Sequence, residues 1–140
     1  MTIRDVSLRF LRCTGSLDVT ELRDILHRDA VAEFPFAPAF TPSLLHGRSA
    51  IIAAVKRTSE IFETLTKIPN DLHECPERST LIVTYTCYGL GRAGDYYNGR
   101  HTAILQVHGG VVARWREYYD PRALHLLARH NASPPSEADE

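Results

Sequence analysis

Much of what would mark a cofactor, metal or polymer-binding protein is missing from this chain. There is no phosphate-cradling loop. "GLGRAG" (residues 89–94) resembles a dinucleotide fingerprint only in its glycines, because it joins two strand-like stretches and no helix follows. His27, His73, His108, His125 and His130 show no ligand spacing, so no metal is expected, and no cofactor either. Three cysteines, Cys13, Cys75 and Cys87, are odd in number and far apart. They suit neither a disulfide framework nor a zinc site, and a reducing cytoplasm is the simplest setting for them. A net charge of −1 leaves no basic footprint for nucleic acid or an anionic membrane. No apolar run approaches the ~20 residues that span a bilayer. "MTIRDVSLRFLRC" mixes Asp and Arg among its apolar residues, unlike a signal peptide.

What remains is a chain of 140 residues, 44% of them hydrophobic. That is enough for one domain with a real core, expected over residues 1–130, with a mobile polar tail at 131–140. Ile3, Val6, Phe10 and Cys13 recur at helical spacing. Asp18, with Glu21 three residues on, has the spacing of a capping box and predicts a second helix carrying Leu22, Ile25 and Leu26. "AVAEFPF" (30–36) has strand chemistry, and the prolines at 35, 38 and 42 make 37–47 a loop. "SAIIAAVKRTSEIFETL" (49–65) predicts a third helix, stopped by Pro69. The second half then reads as a meander: a short strand at "DLHECPE", a strand at "STLIVTYTCYGL", another at "YYNGRHTAILQVH", a Gly-Gly hairpin and a last strand at "VVARWREYYD". Asp120-Pro121 reads as the cap and first residue of a terminal helix. Helices grouped ahead of hairpin-connected strands predict an α+β fold.

Three stretches carry a family likeness. "HRDAVAEFPFAP", "HGRSAIIAAV" and "ARWREYYDPRAL" together resemble the SnoaL-like branch of the nuclear transport factor 2-like (ketosteroid isomerase-like) superfamily, across roughly residues 5–128. "EFPFAP" and "YYNGRH" particularly resemble the phenazine-biosynthesis PhzA/B-type proteins. The resemblance implies a cone-shaped barrel of strongly curved, mostly antiparallel sheet, closed by three helices from the N-terminal half around one apolar pocket. It also implies a homodimer formed through the outer sheet face.

Strand alternation on that fold then assigns the inward residues. Trp115, Glu117 and Tyr119 share one face of the last strand, and His101, Ala103 and Leu105 one face of its neighbour. Ile82, Thr84, Thr86 and Tyr88 are expected to face in, with Tyr85 and Cys87 facing out. Phe34 and Phe36 are expected on one face of the first strand.

Related chemistries can be tested residue by residue. The polar groups of the ketosteroid isomerases would fall at Phe34, Phe10 and Ala103, and none is present. "WREYYD" resembles the closing run of limonene-epoxide-hydrolase relatives, but their Arg-x-Asp pair would fall near Thr84 and Thr86 and is missing. An acid at Glu117 and a histidine at His101 match the phenazine proteins.

The expected catalytic set is therefore Glu117, His101 and Tyr88. Trp115, Phe34, Phe36, Phe10, Tyr97, Tyr119 and Thr86 are expected around a small-molecule substrate, with Tyr97 at the pocket mouth. Glu117, desolvated among aromatics, is expected to have its pKa raised and to act as the acid, unless Arg114 or Arg100 pairs with it. The activity expected is cyclisation or isomerisation in secondary metabolism, intramolecular epoxide opening included. The alternatives are a noncatalytic binding or scaffold protein and an epoxide hydrolase with a non-standard site.

Overall fold

A computed structural model describes residues 1–16, 19–38 and 41–131, excepting the side chains at 125, 128, 130 and 131. The proposed cap at Asp18 and the tail beyond Asn131 lie outside the described residues.

The chain opens with α1 (Ile3–Thr14). Thr2 accepts from the Asp5 backbone N–H at 3.0 Å, and the Asp5 carboxylate accepts from the Thr2 N–H at 3.3 Å. This reciprocal cap fixes the helix start. Val6, Phe10 and Leu11 then form the buried stripe of α1.

The second helix is much shorter than its periodicity predicts. It is a single turn, α2 (Leu22–Ile25), and the chain becomes β1 (Leu26–Glu33) four residues earlier than expected. Ala30 and Ala32 bury their inward face beside β6, and sheet pairing wins over the local helical pattern.

A short strand, β2 (Leu44–His46), crosses the proline-rich segment and leads into α3 (Arg48–Ser59). The predicted third helix overran. Residues after Ser59 enter a long strand, β3 (Phe62–Cys75), that contains Pro69. Thr64, Thr66 and Ile68 alternate with Leu65 and Lys67 at period two, and a proline is tolerated because β3 lies at the sheet edge. The ladder to the next strand shifts register between Pro69 and Asp71.

The meander continues through β4 (Thr80–Gly91), β5 (Tyr96–His108) and β6 (Val111–Tyr118). Gly109 and Gly110, with φ of 58° and 80°, make the two-residue hairpin between β5 and β6. Helix α4 (Pro121–Asn131) follows, and Asp120 accepts from the Arg122 backbone N–H at 3.0 Å.

The six strands form one sheet in the order β2-β1-β6-β5-β4-β3. Every pairing is antiparallel except β1 with β6. The fold is α+β, as expected, but β2 and β3 are free edges, so hydrogen bonds do not close the sheet into a barrel. Four helices are described, and the last supplies part of the enclosure that the sequence assigned to the first three. The core lies between the inner sheet face (Leu81, Val83, Leu105) and the buried residues of α1, α2 and α3.

The register corrects the expected parity of β4. Tyr85 lies opposite His101, and Val83 opposite Ala103. Residues directly opposite on paired strands point to the same side, so Tyr85 and Cys87 face inward, where both are buried. Thr86 and Tyr88 therefore face outward, and Tyr88 is 45% exposed. Neither lines the inner cavity.

Candidate functional site

The inner sheet face and the helices enclose a cavity of about 310 Å³. Its floor is built from β3 to β6, through Lys67, Cys87, Tyr97, His101, Trp115 and Glu117. Val55 and Thr58 of α3 form one wall. Pro38, Thr41 and Pro42 form a second, and Pro121 with Leu124 from the start of α4 a third.

Glu117 is buried here without an arginine. Arg100 and Arg114 are exposed, and Arg116, on the opposite face of β6, pairs with Glu33 at 2.7 Å. The Glu117 carboxylate is held instead by neutral donors and a histidine. Trp115, two residues earlier on the same face, donates Nε1–H to Oε1 at 3.1 Å. His101 Nδ1 lies 3.1 Å from Oε2. An ionised carboxylate can only accept, so Nδ1 carries the proton and donates. The Tyr85 hydroxyl, 3.2 Å from that same nitrogen, then turns its proton to the carboxylate.

The balance of forces on Glu117 differs from the sequence expectation. Burial pushes its pKa up, as reasoned. The positive charge of Lys67, the hydrogen bond from His101 and the Tyr85 hydroxyl together outweigh burial and bring it down to about 2. Glu117 is a fixed carboxylate rather than a protonated acid.

With Nδ1 committed to Glu117, the other ring nitrogen of His101 is left to act. Nε2 lies 2.8 Å from the Tyr97 hydroxyl. The imidazole is stacked between Tyr85 and Tyr119, at centroid distances of 4.9 and 5.4 Å. Burial, reinforced by the negative charge of Glu117, pushes the phenols of Tyr85 and Tyr119 up. The Tyr97 phenol is raised by burial first, then by Cys87 and Glu117. Each of the three stays a neutral O–H donor. Tyr97 is buried rather than placed at the mouth. Its ring runs along β5 across Gly99, where an added Cβ would collide with the hydroxyl.

The remaining expected residues separate into two groups. Phe34, Trp115 and Tyr119 line the cavity. Phe34 and Phe10 each meet the Trp115 ring edge-on at 5.0 Å, but Phe10 is fully buried behind the cavity wall. Phe36 lies outside: β1 ends at Glu33, and a turn closed by Ala37 N–H donating to Phe34 C=O reverses the alternation. Phe36 is 57% exposed and packs on Tyr118.

Sequence reasoning missed Tyr85, Cys87 and Lys67. The outward parity of β4 is the one rich in threonine (Thr84, Thr86), which pointed to the correct assignment. Lys67 went unassigned between the predicted third helix, which ended at 65, and Pro69, where the structure has β3. Burial pushes the Cys87 thiol up to about 11, so it is an inert part of the wall. Among the described residues no cluster of His, Cys, Asp and Glu could hold a metal ion, and no helix is long and apolar enough to cross a membrane.

Similar proteins share this architecture. The uncharacterized protein YesE of Bacillus subtilis (strain 168) is 23% identical over 114 residues, covering 81% of this chain and 78% of that one. A crystal structure of a Bacillus subtilis protein provisionally called an isomerase superposes with a TM-score of 0.76 at 22% identity, covering 94% and 95% of the two chains. A Jannaschia sp. CCS1 protein provisionally called a SnoaL-like polyketide cyclase superposes with a TM-score of 0.72 at 14% identity, covering 94% and 93%. The structure of PrhC from Penicillium brasilianum NBRC 6234 gives 0.79 at 14% identity, covering 91% and 86%. At these identities the superpositions establish the fold alone. The pattern of the SnoaL-like domain matches residues 8–115, most of the chain, and the protein belongs to that family.

Proposed function

We propose that this protein is a cofactor-independent cyclase or isomerase that moves a proton on a small, largely apolar molecule held in the cavity. The observation that carries the reading is the unbroken chain from Glu117 through His101 to Tyr97, ending at the cavity wall. Its parts divide the work. Glu117 is a positioning residue: it holds Nδ1–H, fixes the tautomer and stabilises the imidazolium that forms when Nε2 takes a proton. His101 is the base. Tyr97 is a neutral donor that can hand its proton to a substrate oxygen and be resupplied from Nε2 once that nitrogen has taken the proton removed from the substrate carbon. A proton removed at one atom and returned at another is isomerisation; protonation of an oxygen while a carbon nucleophile closes on its carbon is cyclisation. The apolar wall folds the substrate and excludes water. Family neighbours provisionally called isomerase and polyketide cyclase agree with this class of reaction.

The same observation favours one competing reading. A carboxylate with both oxygens hydrogen-bonded also suits a rigid, noncatalytic binding protein. The two separate in an exchange experiment. Aryl β-diketones are incubated in D2O with the protein, and α-deuteration is followed by proton NMR. The enzyme reading expects faster exchange with the wild type than with His101→Gln or Tyr97→Phe. Equal rates for all three would leave only the binding reading.

A further inference from the structure

We infer that Lys67 is an anion-binding group of the cavity, so that the substrate carries an anionic oxygen, a carboxylate or an enolate, on its apolar body. The inference rests on the reading of this cavity as a ligand site and adds the class of ligand.

Three features of the Lys67 side chain support it. Its stem is channelled: it passes so close to Gly15 that an added Cβ there would sit 2.9 Å from its Cγ. Its head is aimed. Nζ donates to the Thr14 hydroxyl oxygen at 3.0 Å, while that hydroxyl spends its own proton on the Leu11 carbonyl at 3.2 Å. Thr14 is thus available to Lys67 only as an acceptor. The ammonium is also stationed over the Tyr85 ring, 5.1 Å from its centroid.

The third feature is charge. Among the described residues no carboxylate lies within ion-pair distance of Lys67, so none of its three N–H donors has an anionic partner, and the one that Thr14 accepts goes to a neutral oxygen. The Glu117 carboxylate feels Lys67 but is already bonded by Trp115, His101 and Tyr85. Of the charged side chains lining the cavity, Lys67 and Arg57 are cations and Glu117 is the one anion. A half-buried ammonium held by a neutral hydroxyl in an apolar, net-positive cavity is most stabilised by an incoming anionic oxygen. An enolate held there would have its charge compensated as it forms, beside the histidine that removes the proton.

The test uses 2-naphthoate and its neutral isostere 2-naphthamide as probes, with binding measured by calorimetry on the full chain. The wild type is expected to bind the naphthoate at least 10-fold more tightly than the amide. Lys67→Met should abolish that preference, and Lys67→Arg should keep it. If Lys67→Met folds poorly, lysine-selective NMR of the wild type replaces it. The Lys67 side-chain resonance is expected to shift with naphthoate and to stay with naphthamide. Equal affinities in the wild type, a preference that survives Lys67→Met, an unmoved lysine resonance or no naphthoate binding would each overturn the inference. Equal affinities with normal proton exchange would overturn it alone, whereas a clear anion preference without exchange would sink the catalytic reading and leave this one standing.

Discussion

The Tyr97 hydroxyl rests against the bare Cα of Gly99, in the space a Cβ would need, and that placement carries it to His101 Nε2. On β5 these residues sit at 97, 99 and 101, all on the inner face. A tyrosine can lie flat along a strand only where the next residue on that face has no side chain. Gly99→Ala is therefore expected to lift the phenol off the imidazole. Displacing a reacting group by about 1 Å costs roughly 10²-fold in rate, so Gly99→Ala should approach the defect of Tyr97→Phe. In the double variant the two losses should not add, since both break one contact. Exchange kinetics of the four proteins check this, and full additivity would reject the link.

Glu117→Gln keeps the size of the side chain but has a single oxygen for two facing N–H donors, Trp115 Nε1 and His101 Nδ1. One donor must face the amide N–H2. Leaving a buried donor unsatisfied costs about 1–3 kcal/mol, and the fixed tautomer of His101 is lost with it. Denaturant unfolding should show the destabilisation. Turnover should fall by roughly 10² or more while ligand affinity changes little, as for a group that orients a base. A variant with wild-type turnover would remove Glu117 from the mechanism.

The same residue makes a prediction about acid. Its folded pKa, about 2, lies below the ordinary 4.5. A depressed carboxyl contributes stability that is complete above the unfolded value and is lost as pH falls through the folded one. The window is thus from about pH 4.5 down to about 2, and the contribution is on the order of 3 kcal/mol. Melting temperature against pH should fall in this range for the wild type and be flatter there for Glu117→Gln. Identical slopes would show that the carboxylate is not held ionised by the fold.

On the outer face, Ile68, Tyr88 and Tyr96 of β3, β4 and β5 are exposed by 49%, 45% and 86%. We propose this face as the contact between two copies of the chain. Light scattering is expected to find a dimer that Tyr88→Arg converts to monomer. Tyr88→Phe and Thr86→Ala, remote from the cavity, should leave proton exchange unchanged. A monomeric wild type would dismiss the contact.

The legibility of the chain followed the range of the interactions. Strands β4, β5 and β6, the Gly109-Gly110 hairpin and the Asp120 cap were visible because alternation, turn chemistry and capping act between near neighbours. The α2–β1 boundary and the end of α3 were misplaced because both segments carry helix-compatible patterns that pairing across the sheet overrides. Glu117 and His101 stood out as polar groups in apolar strands, whereas Tyr97 was expected at the mouth. Which face Tyr85 and Tyr88 take depended on a register that slips by one residue without changing any local preference.

The sequence by itself determined which strand residues share a face, Trp115 with Glu117 and His101 with Ala103, since periodicity is written residue by residue; that this face turns inward on a curved sheet was what the family resemblance implied. Only the tertiary structure decided what those groups are. Lys67 arrives from an edge strand and Tyr85 from the opposite parity of β4. Their charge and hydrogen bond turn Glu117 from a raised acid into a lowered, fixed carboxylate. A pKa is set by everything within a few ångströms, and residues far apart along the chain meet at that distance only after folding.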